Sequence, residues 1–149
     1  MTATDFKLER YKYILLQLST LNENVHKYLL FYQTLVSAII GGTAAFLVQA
    51  IEHNIPRKIV FGVLHSAALL LALIGAFTFL LVFSGIASWI DYRKEETELL
   101  SEVVNAGFRS TPRLRNFWRW PETYVLLFVT LGSIALCSLI RTLAVAITQ

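Results

Sequence analysis

The stretch IVFGVLHSAALLLALIGAFTFLLVFSGIASWI, Ile59 to Ile90, runs for 32 residues without a charged side chain. A hydrocarbon core about 30 Å thick is crossed by roughly 20 apolar residues of α-helix at about 1.5 Å rise per residue. Water is absent there, and a helix satisfies its backbone polar groups within one segment. The stretch therefore reads as a transmembrane helix, overlong by about ten residues. Working outward, Tyr28 to Ile51 form a second uncharged run of 24 residues and Thr123 to Ile140 a third of 18. The expected spans are 28–51, 59–90 and 123–145. Composition agrees: 56% of residues are hydrophobic and 15% charged, with a mean hydropathy of +0.59, where a soluble domain carries about 25% charge.

The flanks extend the first two spans. Leu8, Tyr11, Leu15, Leu18, Asn22, Val25, Leu29, Tyr32, Val36, Ile39, Thr43 and Phe46 recur in steps of three and four. That is a heptad register leading from a charged N-terminal segment straight into the first span. The spacing predicts one helix over 4–52, capped by Thr4 or Asp5. Asn54-Ile55-Pro56 is a turn signal, with Pro56 suited to the first position of the next helix. A second helix over 56–105 follows, ending near Asn105-Ala106-Gly107. Its C-terminal part is amphipathic. Tyr92, Leu99, Leu100, Val103 and Val104 lie near one face, with Arg93, Lys94, Glu95, Glu96, Glu98 and Glu102 around the rest. Two such helices turning back at residue 54 bring Leu8 near Ser101 and Leu15 near Lys94. Pro121 opens the third helix, over 120–147. The fold class is thus all-α: an integral membrane protein with a long antiparallel helical hairpin, a cytoplasmic extension and a third transmembrane helix, in one domain over 1–149.

Basic residues orient the chain. Ten of the 13 Lys and Arg lie before the first span or in the loop after the second; Arg57, Lys58 and Arg141 are the other three. The positive-inside rule puts the ten in the cytoplasm, with residue 149 outside, as in a bacterial inner membrane. The charge of +3 is then a local asymmetry, and no soluble module is present to read nucleic acid. The first apolar run has no cleavage pattern after it and is expected to stay as an anchor. Cys137 stands alone inside the third span, which excludes an intrachain disulfide and a cysteine metal site.

Functional candidates fall into three groups. Arg113, Arg115, Trp118, Arg119 and Trp120 form a basic-aromatic segment before the third span, suited to anionic headgroups or simply to anchoring. Gln33, Thr34, Ser37, Gly41, Ala45 and Gln49 form a small and polar stripe on the first helix. It suits helix packing, or a pore lining once copies assemble. Ala68, Ala72, Ala76, Ser84 and Ser88 on the second helix, and Gly132 and Ser133 on the third, offer similar surfaces. Leu8, Tyr11, Leu15, Leu18, Leu99, Leu100 and Val103 form the cytoplasmic stalk. Arg141 and Glu52 both fall near the outer boundary, as an ion pair or with Arg141 snorkelling alone. Asp91, Glu95, Glu98 and Glu102 read as a solvated helical face. His26, His53 and His65 have no ligand spacing. No nucleophile constellation, metal set or cofactor motif stands out. No charged group sits mid-span, which argues against proton relays and ion-coupled transport. The chain is not expected to be an enzyme.

Over about residues 4–105 the layout resembles the SLATT class of small bacterial membrane effectors, found beside nucleotide-signalling and anti-phage genes. Those combine a cytoplasmic N-terminal helix, a two-span hairpin and a charged cytoplasmic helix. The third span and the segment 109–121 depart from that layout. The resemblance implies oligomerisation and membrane disruption. Two readings follow. One is a self-associating pore-forming or membrane-perturbing effector, a homo-oligomer in the lipid bilayer. The other is a non-catalytic helper or scaffold docking a soluble protein through its cytoplasmic helices.

Overall fold

The computed structural model describes residues 3–104, 110–112 and 114–148. These form three long helices and no strand: α1 (Ala3–Glu52), α2 (Arg57–Val103) and α3 (Pro121–Thr148), with a short 3-10 helix, Leu114–Arg119, leading into α3. All three are long and apolar enough to cross a membrane. α1 is unbroken over 50 residues, including the Val25–Leu29 junction between its charged and apolar parts. It starts one residue earlier than the sequence suggests, so Asp5 lies inside the first turn. The position of Asn105-Ala106-Gly107 lies outside the described residues.

The α1–α2 turn is built by local chemistry. Asn54 adopts a left-handed conformation, φ 48°, which asparagine tolerates better than most residues. The Ile55 amide then reaches back to the Ala50 carbonyl at 3.0 Å. That is the six-to-one bond of a Schellman cap. Pro56 cannot continue a helix ladder and sits immediately before α2. The register follows from this turn: Lys7 meets Glu102, Arg10 meets Glu95 and Tyr13 meets Tyr92.

The packing adds an eleven-residue period to the heptad reading. Along α2 the inward positions recur every 11 residues: Val60, Leu71, Val82 and Arg93; Leu64, Gly75, Ile86 and Thr97; Ala67, Thr78, Trp89 and Leu100. α1 repeats the spacing through Ile14, Val25, Val36 and Leu47, and α3 through Val129 and Ile140. Eleven residues in three turns match a nearly straight helix, whereas a seven-residue seam drifts by ~20° per heptad unless the pair coils left-handed. Most of the expected seam survives: Leu18, Val25, Tyr32 and Val36 are buried, and Tyr11, Leu29, Ile39, Thr43 and Phe46 half-buried. Three positions in the N-terminal part swing out: Leu8, Leu15 and Asn22 are exposed, and Ile14, fully buried, takes the inward place beside Leu15.

α2 is the middle helix. It packs along its length against α1 on one side and α3 on the other, while α1 and α3 touch briefly. One apolar cluster joins Tyr32, Val36 and Ala50 of α1, Val60, Leu64 and Leu71 of α2, and Val129, Ile140 and Ala144 of α3. A second joins Val25, Val82, Ile86 and Leu126. The surplus length of the 59–90 run is therefore covered by α1 and also by the start of α3. α2 and α3 approach closely at Gly75, where a Cβ would meet the Ser133 side chain.

Candidate functional site

The small and polar stripe points away from the rest of the molecule. Gln33, Thr34, Ser37, Gly41, Ala45 and Gln49 are all exposed. Thr34 returns its hydroxyl to its own helix, donating to the Leu30 carbonyl at 2.9 Å. Gly41 and Gly42 have open space where a Cβ would stand. In its most apolar stretch only 6% of α1 is buried, against 28% for α2 and for α3. Packing within one chain, the simpler use of this stripe, is therefore not what it does. The reason is the seam: Val25, Tyr32, Val36 and Ala50 supply the contacts to α2 and α3, and the stripe lies off that line.

The stalk residues come together only in part. Leu18 and Leu100 are buried, Tyr11 and Leu99 half-buried, and Leu8, Leu15 and Val103 exposed. Leu8, Tyr11, Leu99, Leu100 and Val103 nonetheless line one shallow groove at the stalk tip. Charge clamps it. Lys7 Nζ donates to Glu102 Oε2 at 2.8 Å, and Arg10 Nε to Glu95 Oε1 at 2.6 Å. The Lys7 ammonium holds the Glu102 carboxyl below its usual range, and the Glu95 carboxylate raises Arg10. A hydrogen bond with Tyr13 pushes the Tyr92 phenol up. On the acidic face Asp91, Glu98 and Glu102 are exposed and Glu95 half-buried. Glu95 and Glu102 tie α2 to α1, and Glu96 is fully buried, accepting from Arg93 at 2.5 Å. Glu96 lies beside the inward row of Arg93, Thr97 and Leu100, so the helix turn carries it inside.

The basic-aromatic segment divides. Arg113 lies outside the described residues, as does the side chain of Arg115. Arg119 and Trp118 are exposed. Trp120 is half-buried: its ring lies 5.3 Å from Trp89 and 5.8 Å from Phe117, and the Arg93 guanidinium sits 5.2 Å over Trp89. Thr123 donates to the Phe117 carbonyl at 2.6 Å and Tyr124 to the Trp118 carbonyl at 3.0 Å. Trp120 is thus a packing residue that docks α3 on α2, and Trp118 is the outward aromatic.

Sequence reasoning missed one role and one position. Tyr32, expected on the seam, is buried and also shares a 2.9 Å hydrogen bond with Ser133 Oγ, a polar link between α1 and α3. A phenol inside an apolar run needs a partner, which was the available signal. Gly75 was the position, marked by the 11-residue row. Arg141 makes no ion pair with Glu52. It lines a groove between α2 and α3 with Phe61 and His65, because α3 packs on the side of α2 away from the end of α1. Comparisons with family models, curated proteins and solved structures find nothing that matches this chain.

Proposed function

We propose that this protein is a self-associating three-span membrane protein, with the outward face of α1 as its subunit interface, acting as a pore-forming or membrane-perturbing effector. The observation that carries the reading is that Gln33, Thr34, Ser37, Gly41, Ala45 and Gln49 are all exposed on a membrane-length helix that its own chain barely covers. A side-chain amide left in hydrocarbon without a partner costs about 1–3 kcal/mol. Small residues between the two glutamines allow close helix approach, and an interhelical hydrogen bond returns about 0.6 kcal/mol or more. A second copy satisfies both needs, whether the stripe packs dry or faces a water-filled channel. The SLATT-class resemblance implies the same behaviour. In the same reading, Arg113, Arg115 and Arg119 hold anionic headgroups at the cytoplasmic face.

The test is site-directed cross-linking. With Cys137→Ser as background, Ser37→Cys should give disulfide-linked dimers in native membranes, and Gln33→Leu with Gln49→Leu should reduce them. A monomeric mass in mild detergent with no cross-link at position 37 overturns the reading. The helper reading has its own support in the exposed Phe6, Leu8, Leu15 and Leu16 on the stalk. It is favoured if a soluble protein co-purifies and is lost on Leu8→Glu.

A further inference from the structure

The face of α2 and α3 away from α1 carries a groove with one chemically distinct end. Its lower part is walled by Ala76 and Phe79 of α2 and by Thr130 and Ile134 of α3. Its upper part is walled by Phe61 and His65 of α2 and by Arg141 of α3. Ala72 and Cys137 line both parts, so the two run into each other. Ala68, Ala72 and Ala76, small and in steps of four, line the groove along α2.

We propose that this groove binds one anionic phospholipid, its phosphate on Arg141 beside His65 and one acyl chain along the groove toward Thr130. Charge complementarity is the first argument. Arg141 is exposed and has no ion-pair partner among the described residues, and no carboxylate lines the groove. Length is the second. Arg141 lies eleven residues from Thr130, or about 16 Å of helix, close to half of a hydrocarbon core about 30 Å thick. The groove therefore fits the acyl chain of a single leaflet. Depth is the third. Arg141 follows Pro121 by 20 residues, about 30 Å, which places its guanidinium at the headgroup level opposite the aromatic end of α3. The site lies on the opposite side of α2 from α1 and does not depend on self-association.

The experiment uses the full chain in mild detergent, supplied in turn with phosphatidylglycerol and phosphatidylcholine of identical acyl chains, with lipid retention read by native mass spectrometry. Wild type should retain phosphatidylglycerol about fivefold better, the ratio expected of one basic residue near a headgroup. Arg141→Gln should bring it down to the phosphatidylcholine level, and Arg141→Lys should restore most of it. Ala72→Phe, at an exposed position that fills the groove, should lower retention of both lipids. Arg57→Gln, a cation at the same end but outside the groove, should change nothing. Equal phosphatidylglycerol retention by wild type and Arg141→Gln, or an equal fall with Arg57→Gln, overturns the site. So does efficient cross-linking between copies through Ala72→Cys in the Cys137→Ser background, which would make the groove a subunit contact.

Discussion

Gly75 offers the sharpest probe of how α3 is held. A Cβ at this position would stand 2.9 Å from Ser133 Cβ and closer still to its hydroxyl oxygen. Carbon atoms in ordinary contact are about 3.5–4.0 Å apart. The hydroxyl can rotate away, but Ser133 Cβ is fixed to its backbone, so Gly75→Ala must part the two helices by about 1 Å at that point. Overpacking of this kind costs about 1–3 kcal/mol. Against it stands the better helix propensity of alanine, worth about 1 kcal/mol. The single substitution should thus be destabilising, but modestly. The decisive quantity is the coupling. Ser133→Gly removes the obstructing Cβ, and in that background Gly75→Ala should be neutral or stabilising. The double-mutant cycle should give a coupling energy of about 1–3 kcal/mol. It also removes the separate loss of the Tyr32–Ser133 hydrogen bond from the comparison. The assay is reversible unfolding in bicelles, titrated with a denaturing detergent and followed by tryptophan fluorescence. The same effect of Gly75→Ala in both backgrounds would refute the close approach.

Two further outcomes follow from polar contacts. Tyr32→Phe removes a hydroxyl shared with Ser133 Oγ at 2.9 Å and donated to the Val129 carbonyl at 3.4 Å, and should cost about 0.6 kcal/mol, at most about 1.7, in the same unfolding assay. Glu102 has a carboxyl depressed by Lys7; its contribution to stalk pairing is present above the ordinary carboxylate range and is lost as pH falls through the depressed value. Amide protection factors over the first three turns of α1, which correct for the slower intrinsic exchange in acid, should therefore fall as pH drops below the ordinary carboxylate range, while those around Val36 stay high. Both partners are well exposed, so the change is small; Glu102→Gln should remove it.

The three apolar helices were legible because a membrane-length run needs only composition and length to be recognised. The turn was legible because Asn54 and Pro56 have conformational preferences that few residues share. The seam was legible over most of α1. Seven- and eleven-residue repeats agree over a turn or two, so Val25 and Val36 belong to both; the accumulated drift separates Ile14 from Leu15. Gly75 was hidden for a different reason. A glycine in an apolar helix records that a backbone is approached closely, but not which of several small residues on the partner approaches it. The packing of Trp120 was not legible, because its partner Trp89 lies some thirty residues earlier in the chain. The stripe on α1 was recognised from its residue types, whereas its outward direction depends on which face the seam takes.

The geometry also gives the proposed topology a testable form. The clamped stalk, Arg93 and the Trp89–Trp120 pair gather at one end of the apolar stretches, with Arg57, Lys58 and Arg141 toward the other. Ten basic residues against three predict, under the positive-inside rule, that the stalk end is cytoplasmic. The aromatic pair supports the same depth, because tryptophans gather at the membrane–water boundary. Three crossings then put residue 2 inside and residue 149 outside. In the Cys137→Ser background, Gln149→Cys should react with a membrane-impermeant maleimide added to intact cells, and Thr2→Cys should react only after lysis. Neutralising Arg113, Arg115 and Arg119 together leaves seven inside charges against three, so the same orientation should persist with some loss of uniformity. Labelling at position 2 with protection at 149 would invert the molecule. The lipid groove at Arg141 would then face the cytoplasmic leaflet, where anionic lipid is plentiful, and the groove proposal would survive while the topology would not.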